Sequence, residues 1–269
     1  MHMIRKIKVL CCCLAALAAF VILPGPVSAY TTVGTELILL ADVSGSLDAT
    51  DFALQRNGYV AAFRDPNVIS KIASQTGGIA VTLVYWSSGQ NQTIGWTHIY
   101  DAATSNAFAN AIEAATRPSS GSTNMAAAMN FAGGLFDNQF ISTYQVVDVS
   151  GDGANRDGVQ SDPDVQNARD NLVNNFGVDM INALWIDDRY FFGDDPGDYV
   201  QAVPYGIENV IYGPGSFSWI VDDYTEFEAA VKNKIYAEIT PNPVPIPAAV
   251  WLFGSGLLGF LGFRKRFTK

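Results

Sequence analysis

Between positions 31 and 239, short unbroken apolar runs alternate with longer segments of helical pattern. A chain so ordered lays down strands and helices in turn, which builds one α/β domain around a parallel sheet. Residues 37–41 (Leu-Ile-Leu-Leu-Ala) lack polar alternation, as a strand covered on both faces requires. Further strands are predicted over 79–86, 145–149 and 178–186, with a short one over 210–212. Residues 93–99 follow the turn Ser-Ser-Gly-Gln-Asn and form a strand that can run antiparallel. Helices are predicted over 51–64, where Phe52, Tyr59, Val60 and Phe63 lie near one face, and over 105–116, 124–136, 164–176 and 224–238. The expected architecture is α/β: a mostly parallel central sheet with one antiparallel edge strand and helices on both faces.

The two ends of the chain are of different character. Arg5, Lys6 and Lys8 precede the apolar run 9–23, and Val27-Ser28-Ala29 supplies a small-residue cleavage site. That is the layout of a secretory signal peptide over residues 1–29. All three cysteines (Cys11, Cys12, Cys13) lie inside it, so the body is expected to hold no disulfide and no thiolate metal site. His98 is the only histidine left, which excludes a metal held by two or three imidazoles. The folded domain is expected over 30–240. Pro241, Pro243, Pro245 and Pro247 then make a stiff linker over 241–247, and an apolar segment with a basic end, Arg264-Lys265-Arg266, fills 248–269. The chain has 26 acidic and 16 basic residues, and seven of the basic ones lie in these terminal segments. So acidic a body repels nucleic acid and suits cations.

In open α/β sheets, ligands bind beyond the carboxyl ends of the strands. Three segments are expected to meet there: Asp42-Val43-Ser44-Gly45-Ser46 after the first buried strand, Gly121-Ser122-Thr123-Asn124 before a helix, and Ser150-Gly151-Asp152-Gly153 after the strand 145–149. In order and context they resemble the metal-ion-dependent adhesion site (MIDAS) of von Willebrand factor A (vWA) domains. That resemblance implies a Rossmann-like, three-layer fold over roughly 36–236 and assigns Asp42, Ser44, Ser46, Thr123 and Asp152 as ligands of Mg²⁺, with Mn²⁺ or Ca²⁺ as alternatives. The stretch 148–155, Asp-Val-Ser-Gly-Asp-Gly-Ala-Asn, also looks like a bacterial subfamily of these domains. Hard cations take oxygen ligands in near-octahedral geometry. Three neutral hydroxyls and two carboxylates leave such an ion electrophilic, so a partner protein's Asp or Glu can fill an open position. The bland alternative has the hydroxyls capping helices and Asp152 ending a strand.

The tail from Val244, Val-Pro-Ile-Pro-Ala-Ala-Val-Trp-Leu-Phe-Gly-Ser-Gly, resembles the PEP-CTERM class of sorting signals in its Val-Pro-Leu-Pro-Ala variant, with Ile246 in place of Leu. The resemblance implies transient membrane insertion, processing by an exosortase-type protease, and delivery to the surface or extracellular matrix of a Gram-negative bacterium. A retained one-helix anchor is the alternative.

Other residues are expected to be structural. Asp148, inside a strand, either hydrogen-bonds behind the metal ligands or sits at a solvated edge. Asp157, Asp162 and Asp164 lack calcium-loop spacing, and the acidic stretch 187–198 reads as a solvated loop. Trp86, Trp96, Trp185, Trp219 and His98 read as anchors. No phosphate-cradling Gly-x-x-x-x-Gly-Lys-Ser/Thr or Gly-x-Ser-x-Gly elbow is present. A haloacid-dehalogenase-type phosphatase would need a second Asp where Ser44 stands. The reading is therefore a non-enzymatic, cation-dependent binding module. A metal-assisted envelope hydrolase and a structural surface protein with a stabilising metal are the alternatives.

Overall fold

The computed structural model describes residues 29–118, 120–155, 160–190 and 201–239, with backbone alone at 187–190. The leader predicted from the sequence, apart from Ala29, and the predicted linker and C-terminal segment fall outside these residues. Among the described residues no helix is long and apolar enough to cross a membrane.

Six strands form one sheet: β1 (Thr31–Asp42), β2 (Ile79–Trp86), β3 (Gln90–Ile99), β4 (Phe140–Gly153), β5 (Met180–Tyr190) and β6 (Ser218–Val221). Their spatial order is β3-β2-β1-β4-β5-β6. All neighbours pair parallel except β2 and β3, so the antiparallel strand sits at an edge, as expected. Residues 37–41 of β1 and all of β2 but Thr82 are apolar because both faces are covered. On one face lie α1 (Ala49–Arg64), α2 (Pro66–Ala73), α3 (Ala102–Ala114) and α7 (Phe227–Glu238), packed on Leu37, Leu39, Val81 and Leu83. On the other lie α4 (Met125–Leu135), α5 (Pro163–Phe176) and α6 (Ala202–Tyr205), which continues as a π-turn, Gly206–Val210.

Strand order reverses between β1 and β4: the chain winds outward to β2 and β3 on one side and to β5 and β6 on the other. Connections diverge from that point, which opens a crevice above the carboxyl ends of these two strands.

Three elements differ from the sequence reading, one of them the short α6 with its π-turn, which was not expected. Helix α2 was not expected, since it has only two turns and buries only Val68 and Ile72. Asp65 starts it by accepting hydrogen bonds from Asn67 N and Val68 N, with Pro66 in the first turn. The last strand is Ser218–Val221 and not 210–212. Tyr212 makes a single antiparallel bridge to Ile181, and Gly213 and Gly215, both at positive φ, end the pairing there.

Candidate functional site

The first two acidic loops stand at the switch point. β1 ends at Asp42 and β4 at Gly153, so Asp42 and Asp152 come side by side at the top of adjacent strands. The backbone turns sharply after Asp42: Ser44 N–H donates to Asp42 Oδ1 at 2.7 Å, and Gln55 Nε2 donates to Asp42 O at 3.1 Å. The turn aims both serine hydroxyls at the second carboxylate. Ser44 Oγ and Ser46 Oγ are 3.1 Å apart, and Ser46 Oγ donates to Asp152 Oδ1 at 2.8 Å. Four of the five sequence-predicted residues are thus brought together.

Thr123 arrives by its loop. Gly45 N–H donates to Gly121 O at 2.8 Å, which clamps the second segment on the first. Ser88 leaves no room for a side chain at Gly121, so the loop comes in close. Asn124 then caps α4, accepting from Ala127 N. Thr123 sits half-buried between clamp and cap, and its hydroxyl is not hydrogen-bonded to the other four residues. Asn155 holds the third segment: its Oδ1 accepts from Ala126 N, and its N–H donates to Tyr205 OH at 3.2 Å.

Asp42 is 0% exposed and Asp152 2% exposed. Asp42 Oδ2 is buried and accepts no hydrogen bond. Burial, and next the charge of Asp152, push the Asp42 carboxyl up to about 8. Gly151 keeps a cradle open there, since a methyl at that position would stand 3.1 Å from Asp42 Oδ2 and 3.4 Å from Trp86 Cζ2. Ser46 is exposed, so the cluster opens to solvent on that side. Two buried carboxyls, one with an orphan oxygen, beside the two serine hydroxyls form a donor set that fits a hard divalent cation, with the Thr123 loop clamped on the first segment. Among the described residues there is no group of three or more His, Cys, Asp or Glu side chains that could hold a metal, so such an ion would depend on the hydroxyls.

Two residues that sequence reasoning missed shape this site. Arg117 Nη2 donates to Val43 O at 3.1 Å and to Ser44 O at 2.7 Å, bracing the first loop, and its guanidinium lies 6.0 Å from the Phe52 ring centre. Its charge offsets part of the strain on Asp42. Tyr224 is buried with an unpartnered hydroxyl, held protonated by burial and by the charges of Asp152 and Asp42. Neither belongs to a local motif. The one signal for Arg117 is a lone cation in an otherwise uncharged loop, 116–123.

The secondary candidates are structural where they are described. Asp162 caps α5 and accepts from Tyr205 OH at 3.0 Å. His98 Nε2 lies 2.7 Å from Gly77 O, and Trp96 Nε1 donates to Leu135 O at 2.7 Å. Trp86 and Trp185 are core residues, whereas Trp219 is 38% exposed and stacks on Phe217. Asp148 is wholly buried, which removes the solvated-edge alternative. Asp157 and the side chains of 187–198 fall outside the described residues.

The six-stranded sheet with its antiparallel edge and its covering helices is the fold of vWA domains. A von Willebrand factor type A protein from Catenulispora acidiphila superposes with a TM-score of 0.52 at 15% identity, over 77% of this chain and 43% of that one. Proximal thread matrix protein 1 from the mussel byssus, in a structure with a zinc-occupied MIDAS motif, gives 0.52 at 14% identity, over 78% and 49%. The pilus adhesin SpaC from Lactobacillus rhamnosus GG gives 0.50 at 14% identity, over 77% and 30%. This chain therefore spans less than half the length of each of these structures. None of the curated proteins compared matches it. Residues 32–243 match the family described as "Protein of unknown function (DUF1194)", and the chain belongs to that family.

Proposed function

We infer that this domain is a non-enzymatic binding module that recognises a partner protein through a divalent cation held by Asp42, Ser44, Ser46, Thr123 and Asp152. The observation that carries the reading is the orphan oxygen of Asp42, buried against a second carboxylate and without a hydrogen bond. Asp42, buried beside the charge of Asp152, resists ionisation, and a cation between the two carboxyls would reverse that effect. When bound, that cation would supply an electrophilic position for a carboxylate oxygen of the partner. Asp42 and Asp152 bring the charge that retains it. Ser44, Ser46 and Thr123 bring oxygen without charge, which preserves its pull on the partner. Arg117 holds the first loop in the shape that aims the hydroxyls. Mg²⁺ suits an oxygen set of this kind, and Mn²⁺ or Ca²⁺ can replace it.

Similar structures include a byssus matrix protein and a pilus adhesin, which agrees with a role in adhesion or matrix assembly. The predicted leader over 1–29 and the sorting-type tail over 248–269 place that role outside the cell, on its surface or in its matrix. The domain would then span 30–240, joined by the linker 241–247 to a tail that an exosortase-type protease removes.

The test is capture of envelope proteins on the immobilised domain, with Mg²⁺ and with chelator. Partners retained only with the cation, and lost from an Asp152→Asn column, support the reading. Retention that ignores both chelator and substitution overturns it. Thr123→Ala makes a narrower prediction. It removes one oxygen and no existing hydrogen bond, so the melting temperature in chelator should stay unchanged. Cation affinity, measured by titration calorimetry, should fall roughly tenfold, the effect of losing ~1.4 kcal/mol from one contact to a charged group.

A further inference from the structure

The sheet face beneath α1 and α7 is largely apolar but carries a buried polar cluster. Side chains alternate along β4, so Val146, Asp148 and Ser150 point to this face while Val147 and Val149 point to the other. Asn182 of β5 pairs in register with Asp148. From above, the buried stripe of α7 is Val231, Lys234, Ile235 and Glu238, which drives two ionisable side chains into the core. Lys234 Nζ is in direct contact with Asp148 Oδ1 and lies 3.0 Å from Ser150 Oγ. Glu238, one helical turn further along, accepts from Asn182 Nδ2 at 3.1 Å, next to Asp148. Asp148, Ser150, Asn182, Lys234 and Glu238 are all 0% exposed. Asp148 Oδ2 and Glu238 Oε2 have no hydrogen-bond partner.

An ion pair here forfeits hydration on both sides and gets little back from its unpartnered oxygens. The dry setting favours neutral forms instead. Burial lowers the Lys234 amine to about 8, and burial raises the Glu238 carboxyl to about 7, although each charge favours the other. An amine whose proton is loosened by burial, held against a carboxyl with water shut out and a second acid nearby to shuttle protons, meets the requirements of amide condensation.

We propose that Lys234 and Asp148 are joined by an intramolecular isopeptide bond that forms once the domain has folded, with Glu238 as the proton carrier. The Lys234 Nζ lone pair attacks the protonated Asp148 carboxyl at Cγ, and the Nζ–Cγ bond forms. Glu238 takes a proton from the nitrogen and gives one to the departing hydroxyl. The Cγ–O bond breaks, and one water leaves. No oxidant, reductant or cofactor enters the balance. The product replaces two buried ionisable groups by a neutral amide. It also ties α7 covalently to the central strand that leads to Asp152.

The test is peptide mapping by mass spectrometry of the folded wild-type chain. The expected result is a linked peptide pair holding Asp148 and Lys234, about 18 Da lighter than the two peptides together, with no tryptic cut after Lys234. Asp148→Asn should give a linked product of the same mass as wild type, because it loses ammonia in place of water. Glu238→Gln, of equal size, should leave both peptides free. Wild-type peptides found only at their unlinked masses overturn the proposal. A folded Glu238→Gln protein that links completely overturns the role of Glu238. Should that variant not fold, the wild-type and Asp148→Asn masses decide the bond by themselves.

Discussion

Asp42→Asn is expected to raise the melting temperature of the chelator-treated domain at pH 8 and to abolish the further rise that Mg²⁺ gives the wild type. Both effects come from one carboxyl. In the folded chain Asp42 holds its proton well above the ordinary value of 3.8, up to about 8, because it is buried and faces Asp152. The folded state therefore binds a proton that the unfolded chain has released. Stability from this group is fully present below 3.8 and is lost as pH rises through about 8, at ~1.4 kcal/mol per unit. Asparagine keeps the size and the oxygen that accepts from Ser44 N–H but never ionises, so it escapes that loss.

In the wild type, a cation at a hundred times its Kd restores ~2.7 kcal/mol, which raises the melting temperature by roughly 5–10 °C in a domain of this size. The variant lacks the charge that retains the cation and should show no rise. Melting curves of both proteins at pH 6 and pH 8, in chelator and in millimolar Mg²⁺, check each part. In chelator the advantage of the variant should shrink at pH 6, where wild-type Asp42 is protonated. A variant that melts below wild type in chelator at pH 8, or that keeps the Mg²⁺ response, would contradict the picture of a strained acid pair awaiting a cation.

Why so much of this site was legible in the sequence has a physical reason. A strand buried on both faces must be apolar, so residues 37–41 marked themselves, and Asp42 directly after them could only stand at a strand end. The same logic placed Asp152. Thr123 was assigned by resemblance alone, and the structure brings its loop to the first segment through the Gly45–Gly121 backbone hydrogen bond. Arg117 and Tyr224 were not legible. Arg117 is placed by long-range contact with the Val43 and Ser44 carbonyls, which leaves no local spacing, and Tyr224 packs on its near neighbour Phe227, a contact that does not signal the distant acids. Asp148 showed as an acid within a strand, but its partner did not, since Lys234 and Glu238 reach the core only because α7 turns that face inward. Helix α2 is held by a cap and two side chains, too few to stand out from a loop. Residues 210–212 carry strand-forming side chains, yet the glycines behind them end the pairing after one bridge.

Gly58→Leu should be among the most damaging single changes, and its effect should run through α7. Gly58 lies in the interior of α1, where glycine costs ~1 kcal/mol relative to alanine by helix propensity. It is kept there by contact. A Cβ at this position would stand 2.6 Å from Phe227 Cδ1 and 3.3 Å from Glu228 Cα. Phe227 cannot swing aside, being fully buried and packed edge-on against Tyr59 at 5.4 Å. Even Gly58→Ala should therefore destabilise, against its helix propensity, and Gly58→Leu should cost about 3 kcal/mol or more. The strain falls on the start of α7, which positions Lys234 against Asp148 and follows Tyr224 beside the acid pair. Lower cation affinity should accompany the lost stability, although Gly58 touches no ligand. Denaturant unfolding of Gly58→Ala, Phe227→Leu and the double variant isolates the cause. A coupling of ~1 kcal/mol, with the double variant more stable than additivity allows, identifies the ring contact. Additive losses would mean that α1 and α7 do not meet at this point, and the support of the site from below would need another origin.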